Sequence, residues 1–183
     1  MTYDITGKTV AFLLTDGYED SELTVPWKAV TEAGATAVLV SPAEGAIEGK
    51  NGHTQPVDQQ VSAANAEAFD ALMLPGGVVN ADHLRMDADS VAFAKAFFAA
   101  GKPVGVICHA AWTLIEADVV KGRELTSYPS LKTDLINAGA DWVDEEVVTD
   151  QGLVSSRTPD DLPAFCAKLV EEIFEGEHAG QHA

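Results

Sequence analysis

The sequence is poor in cysteine and in basic residues. Its 183 residues include two cysteines, Cys108 and Cys166, which are too few for a disulfide framework and lack the paired spacing of a zinc site. Lysine and arginine together number 11 against 29 acidic residues, so the net charge is −18. A surface this acidic repels phosphate backbones, and we therefore expect no nucleic-acid partner.

Long apolar runs and targeting or cofactor motifs are also missing. No apolar segment approaches the roughly 20 residues that span a bilayer, and residues 1–8 lack a signal-peptide pattern. We therefore expect a cytoplasmic protein with no membrane partner. No phosphate loop, dinucleotide fingerprint or His-Glu-x-x-His motif occurs, so we expect no cofactor and no metal, including at His178 and His182.

The pattern of apolar runs predicts one α/β domain over residues 1–183. Runs with strand character lie at 8–15, 36–41, 71–74 and 103–107, and helical segments such as 19–34 and 89–100 separate them. This alternation is typical of right-handed βαβ units, in which helices cover both faces of a parallel sheet. We expect residues 176–183 to form a loose tail.

The most informative segment is 105–111, where an apolar run ends on Cys108 and His109. Small residues that can open a helix follow. A strand-to-helix turn of this kind places a nucleophile at a helix N-terminus, where the partial positive charge favours thiolate over thiol. We predict that Cys108 is a nucleophile with a depressed pKa; the alternative is a buried structural cysteine. Cys166 is expected to pack in the core.

An acidic segment is predicted to lie beside Cys108, because the carboxyl ends of parallel strands meet at one edge of a sheet. The first strand runs into residues 16–22. We predict that the Glu19 carboxyl group lies near the sulfur and tunes its ionisation. Alternatively, Glu19 stabilises the first helical turn, which is the role that we expect for Asp20 and Glu22.

A glycine pair and His109 complete the predicted site. Gly76 and Gly77 allow backbone N–H groups to approach a ligand, and with the N–H of His109 they could form an oxyanion hole. The alternative is a plain tight turn. The His109 side chain is a candidate general base, and Asp82 is its candidate orienter. Alternatively, His109 is structural, and Asp82 caps a helix or is simply solvated.

These segments together resemble the PfpI family of the class I glutamine amidotransferase-like superfamily. GYEDSEL follows the first strand, LPGG the third and GVICHAAW the fourth, and TSYPSLKTDLINAGADWVDEEVVTD and LVSSR follow in order. The resemblance extends over residues 8–174. It implies a flavodoxin-like α/β three-layer sandwich with a parallel central sheet, in which Cys108 occupies a nucleophile elbow.

The resemblance also implies roles for the site residues. Glu19 would hydrogen-bond the sulfur, and Gly77 and His109 would donate N–H groups to an oxyanion hole. In PfpI-type proteases a glutamate from a neighbouring subunit completes the triad. Here Asp82 stands at the matching place, one residue further along the loop and one carbon shorter. The implied assembly is a homo-oligomer, a dimer or larger.

The function that this resemblance implies is that of a cysteine-dependent stress-response hydrolase. Family members are described as peptidases, as deglycases or glyoxalases acting on methylglyoxal and its adducts, and as general stress proteins. The expected substrate is therefore a reactive carbonyl compound, its protein adduct or a peptide. The alternative is a non-catalytic redox-stress sensor or chaperone in which Cys108 is oxidised.

Overall fold

A computed structural model describes residues 3–181 of the protein. The strands are β1 (Thr9–Leu13), β2 (Thr36–Ser41), β3 (Ala46–Glu48), β4 (Thr54–Pro56), β5 (Gln59–Gln60), β6 (Ala71–Leu74), β7 (Val104–Ile107), β8 (Glu124–Leu125), β9 (Asp141–Trp142), β10 (Val148–Asp150) and β11 (Leu153–Ser156). The α-helices are α1 (Asp20–Glu32), α2 (Val78–Met86), α3 (Ala88–Ala99), α4 (Ala111–Glu116), α5 (Lys132–Asn137) and α6 (Leu162–Glu175).

Seven strands form the central sheet, in the order β10-β11-β7-β6-β1-β2-β5. All neighbours pair in parallel except β10 and β11, which form an antiparallel hairpin at one edge. The predicted fold class, α/β with a mostly parallel sheet, is confirmed. Because β1, β6 and β7 are adjacent and parallel, their carboxyl ends open onto the same edge, where ligands bind in such sheets.

Helices cover both faces of the sheet, as the apolar pattern predicted. Successive side chains of β1 point to opposite sides, so that Phe12 packs with α1 and α6 while Leu13 packs with α3 and α4. The central strands β1, β6 and β7 are therefore apolar along almost their whole length, which is typical of strands that are buried on both faces.

Helix α2 was not predicted. Its sequence begins with two β-branched valines, and neither its composition nor its periodicity favours a helix. The buried Asn80 side chain anchors it instead: Nδ2 donates to the carbonyl oxygens of Pro75 (2.9 Å) and Gly76 (3.0 Å), and Oδ1 accepts from the Thr15 N–H (2.7 Å). Asp82, which was expected in a loop, consequently lies on a helix.

Residues 176–181 lie against the body of the protein, whereas the sequence suggested a loose tail over 176–183. The His178 N–H donates to the Gly101 carbonyl oxygen (2.8 Å), and the buried Gln181 accepts from Arg123 Nη1 (3.1 Å). The last two residues of the predicted tail lie outside the described part of the chain. Within residues 3–181, no helix has both the length and the hydropathy to cross a membrane.

Candidate active site

Cys108 lies at a sharp turn between β7 and the helical segment that follows it. Ile107 is extended, but Cys108 has a φ of +63°, in the left-handed region that only a few per cent of non-glycine residues adopt. Such a conformation costs on the order of 1–3 kcal/mol and persists where surrounding contacts impose it. One of these contacts is the Tyr128 N–H, which donates to the Cys108 carbonyl oxygen (3.1 Å). The turn has the form of a nucleophile elbow.

The carboxyl group beside the sulfur is that of Glu22. This side chain is fully buried, and its Oε2 accepts a hydrogen bond from the Gly76 N–H (2.8 Å). In the described part of the chain no group forms a hydrogen bond with Glu22 Oε1, but the Cys108 thiol is close enough to lower the pKa of the carboxyl group. A Cβ atom added to Gly76 would lie 2.5 Å from Glu22 Oε2 and 2.7 Å from Cys108 Cβ. Position 76 therefore has room only for a glycine between Glu22 and Cys108.

The prediction that Glu19 approaches the sulfur is wrong in its residue. Glu19 precedes the first turn of α1, and its carboxylate forms an ion pair with Lys50 and accepts from Asn51 Nδ2 (3.5 Å). Glu22 lies one turn further along, on the buried stripe that includes Pro26 and Val30. Glu22, Pro26 and Val30 are four residues apart and therefore share one face of α1. A glutamate in line with apolar residues at this spacing was the signal that could have identified it.

Burial makes both acidic groups at the site harder to ionise than usual, and the thiol ionises after the carboxyl group. Burial, and then the charge of Glu19, raise the pKa of Glu22 to about 7, against the lowering effect of the Gly76 N–H. Burial, and then the charge of Glu22, raise the pKa of Cys108 to about 12. The sequence predicted a depressed thiol pKa from the helix N-terminus alone. Burial beside a carboxylate outweighs that effect as long as Glu22 is ionised.

Two backbone N–H groups are directed at the sulfur, those of Gly77 and His109, and both lower the pKa of the thiol. Gly77 has a φ of +92°, and a Cβ atom there would lie 2.6 Å from the Gly17 carbonyl oxygen. These are two of the N–H groups that the sequence suggested for an oxyanion hole. The third, that of Gly76, is bonded to Glu22 and is not free to bind a ligand.

The His109 ring lies in contact with the sulfur. Its Nδ1 is 3.2 Å from Cys108 Sγ, and its Nε2 is 3.4 Å from Ser130 Oγ. The ring stacks on Tyr128 with centroids 4.6 Å apart, and Trp112 packs edge-on at 5.2 Å. Burial, followed by the nearby Lys50 charge, lowers the pKa of His109 and so favours the neutral form of the ring.

Asp82 is not brought to His109 within one chain. It lies exposed on α2, and among residues 3–181 the described polar partners of the His109 ring are Cys108 and Ser130. The prediction that Asp82 orients the His109 ring therefore requires a second copy of the protein, whose helix α2 would supply the aspartate.

Lys50 is a site residue that the sequence did not reveal. It lies in the turn between β3 and β4, where its N–H donates to the Tyr18 carbonyl oxygen (2.9 Å). Asp20 fixes the same turn by accepting from the N–H groups of Asn51 (2.9 Å) and His53 (2.8 Å). The Lys50 charge acts on Glu22 as well as on His109. The hairpin therefore brings a cation to the site.

The fold and this site define a class of α/β proteins with a cysteine on a nucleophile elbow beside a buried carboxyl group and a histidine. The chain belongs to the DJ-1/PfpI family, whose model matches residues 8–172. The family predicted from the sequence is thus confirmed.

Relatives and a solved structure agree with this assignment. The chain is 45% identical over 162 residues to a deglycase of Pyrococcus abyssi, covering 88% of this chain and 97% of that one. It is 47% identical over 162 residues to general stress protein 18 of Bacillus subtilis, covering 87% and 94%. The crystal structure of DJ-1beta from Drosophila melanogaster superposes with a TM-score of 0.85 at 26% identity and covers 91% of this chain and 90% of that one. These names support the predicted stress-response deglycase or hydrolase class.

Proposed function

We propose that this protein is a cysteine-dependent deglycase or glyoxalase of the PfpI type, which acts on reactive carbonyl compounds or their adducts on proteins. The observation that carries the proposal is the contact of Cys108 with a buried carboxyl group, a neutral imidazole and two backbone N–H groups. A stress-response role is supported by the names of the relatives.

One proton shared by Glu22 and Cys108 explains how a buried thiol becomes nucleophilic. With a pKa of about 7, Glu22 accepts a proton far more readily than an ordinary carboxylate does, so it can take the proton of the Cys108 thiol. A neutral Glu22 no longer repels a thiolate and can donate a hydrogen bond to it. The N–H groups of Gly77 and His109 stabilise the same anion. The reactive form therefore carries one negative charge, on the sulfur, and the proton on Glu22.

In the first chemical step the thiolate forms a bond to the carbonyl carbon, and the electron pair of the C=O bond moves to the oxygen. The Gly77 and His109 N–H groups are placed to stabilise that oxyanion. His109 Nδ1, 3.2 Å from the sulfur, can transfer a proton between the reacting atoms because the neutral ring can act as a base.

Burial of the site favours a small carbonyl compound over an extended peptide. Cys108 and His109 are each only 8% exposed. A free aldehyde, or an adduct at the end of a flexible side chain, can reach such a sulfur, whereas a peptide backbone with bulky flanking residues cannot lie flat on it.

Helix α2 supports the proposal that the protein is a homo-oligomer. Val78, Asp82 and Met86 are spaced by four residues and therefore share one exposed face. Val78 is 52% exposed and Met86 is 82% exposed, and Val79 beside them is 51% exposed. Apolar side chains of this size favour contact with another protein surface, and a second copy on this face would bury Asp82 with them.

The proposal is tested with methylglyoxal and with a methylglyoxal-treated peptide as substrates, assayed for lactate formation and for release of the free amino group. We expect turnover by the wild-type protein, no turnover by Cys108→Ser, and nearly full turnover by the matched control Cys166→Ser. Equal turnover by wild type and Cys108→Ser contradicts the proposal. No turnover by the wild type, with ready oxidation of Cys108 to the sulfinic acid, would favour the redox sensor instead.

A further inference from the structure

A cluster of metal-ligating side chains lies at the end of α6, far along the chain from the catalytic residues. Glu172 and Glu175 are on the last turn of the helix, and Gly176, with a φ of +85°, reverses the chain after it. His178 is thereby folded back towards the helix. Its Nε2 lies 2.9 Å from Glu172 Oε2 and 4.0 Å from Glu175 Oε2.

The buried atoms of this cluster have no hydrogen-bond partner among residues 3–181. Glu172 is only 6% exposed, yet within those residues its Oε2 makes no hydrogen bond, and neither does His178 Nε2. The two atoms are close, but the angle between them is not that of a hydrogen bond. Two groups that bind one ion both point at the ion and not at each other, so a short separation without hydrogen-bond geometry is compatible with a shared ion. A buried carboxylate oxygen without a hydrogen bond is costly, and a cation placed between the two groups would offset that cost.

We propose that Glu172, Glu175 and His178 form a binding site for a first-row divalent metal ion, with zinc as the best match. Carboxylate oxygens and an imidazole nitrogen are typical zinc ligands, and tetrahedral bonds of about 2.1 Å place ligand atoms about 3.4 Å apart. The three ligand atoms all lie within 4.8 Å of one another. Glu175 is half exposed, so its side chain can close the longer distances.

The surroundings hold the ligands in place and favour a cation. The His178 N–H donates to the Gly101 carbonyl oxygen (2.8 Å), and the His178 carbonyl oxygen accepts from the Gln181 N–H (3.0 Å). Gly152 leaves room for the imidazole, because a Cβ atom there would lie 2.8 Å from His178 Cδ2. The C-terminus of a helix also carries a partial negative charge, which stabilises a positive ion.

The bound ion would join the chain end to α6. Residues 177–181 contact the body mainly through backbone hydrogen bonds and Gln181, and a metal bond from His178 to Glu172 would fix them more firmly. We therefore infer a structural ion that is independent of the catalytic cysteine.

Zinc binding is tested by calorimetric titration of the EDTA-treated protein in a Cys108→Ser background, which removes the thiol of the catalytic site as a competing ligand. We expect one zinc per chain, and an affinity lowered at least about tenfold by Glu175→Gln and by His178→Ala. Glu175 is exposed, so its replacement does not threaten folding. Glu177→Gln, an exposed glutamate in the same segment, is the matched control and should bind as the background protein does.

Two further measurements distinguish a metal site from a simple ion pair. Zinc at 100 times its Kd should raise the thermal midpoint by about 5–10 °C, and EDTA should reverse the rise. Cobalt should give visible absorption bands without thiolate charge transfer. The proposal is overturned if the background protein binds no zinc, or if Glu175→Gln and His178→Ala bind it as tightly as Glu177→Gln.

Discussion

Replacing Glu22 by glutamine should raise the pH at which Cys108 becomes reactive. In the wild-type protein the first proton leaves the Glu22–Cys108 pair near pH 7, because burial raises the pKa of Glu22 to about 7. The single negative charge is then shared between carboxylate and thiolate in a fixed ratio. The rate of thiol alkylation should therefore rise up to about pH 7 and then level off.

In Glu22→Gln only the thiol can ionise. Its pKa cannot fall to 7, because burial raises it above the ordinary value of about 8.5. The inflection should consequently move upward by at least about 1.5 pH units, which corresponds to about 2 kcal/mol at 1.36 kcal/mol per unit. Glutamine is nearly isosteric and can still donate to the sulfur, so the fold and the local packing are preserved.

The assay is the rate of iodoacetamide labelling between pH 5 and 10, with the labelled cysteine identified by mass spectrometry. Glu19→Gln is the matched control. The Glu19 charge raises the pKa of Glu22, so its removal should move the inflection slightly downward, in the opposite direction. An unchanged inflection in Glu22→Gln would refute the shared proton. Faster labelling of Cys166 than of Cys108 in the native protein would refute the assignment of the nucleophile.

Three other results are expected. The folded-state pKa of Glu22 is raised from 4.5 to about 7, so its contribution to stability is present below pH 4.5 and is lost as the pH rises to 7. In urea denaturation the wild type should lose about 3 kcal/mol relative to Glu22→Gln over that interval, and parallel pH profiles would contradict this. Asp82→Asn should lower turnover about 100-fold or more with little change in Tm if the aspartate orients His109 of a second copy; near wild-type turnover would leave Cys108, His109 and Glu22 as the complete set. Gly77→Ala should lower the free energy of unfolding by at least about 2 kcal/mol, because φ is +92° and the added Cβ would meet the Gly17 carbonyl oxygen; an unchanged urea midpoint would argue against this strained turn.

The elements that the sequence predicted well are those whose apolar pattern is strong. The four main strands agree with the structure to within a few residues, because strands buried on both faces need continuous apolar runs. Helix α2 was missed because its composition does not favour a helix. Asn80 anchors it through hydrogen bonds with Thr15 and Pro75, and these contacts cannot be read from the local sequence.

The structure brings some of the residues that the sequence predicted for the site together at one edge of the sheet, and it leaves others apart. Cys108 and His109 follow a strand directly, so their place at the sheet edge depends only on neighbours in the chain. The choice between Glu19 and Glu22 depends on where α1 begins and on which face it buries. A difference of three residues turns a side chain from the Lys50 ion pair to the sulfur.

The sequence by itself determined the α/β architecture, the place of Cys108 at the end of a strand and the glycines that lie beside it. These features follow from local patterns of hydrophobicity and backbone freedom, which can be read without knowing what lies nearby. Only the tertiary structure decided four other features. These are the raised pKa of Cys108, the hydrogen bond from the Gly76 N–H to Glu22, the position of Lys50 at the site and the contact of His178 with Glu172. Each of these depends on burial and on distances between segments far apart in the chain, and desolvation and Coulomb energies are set by those quantities.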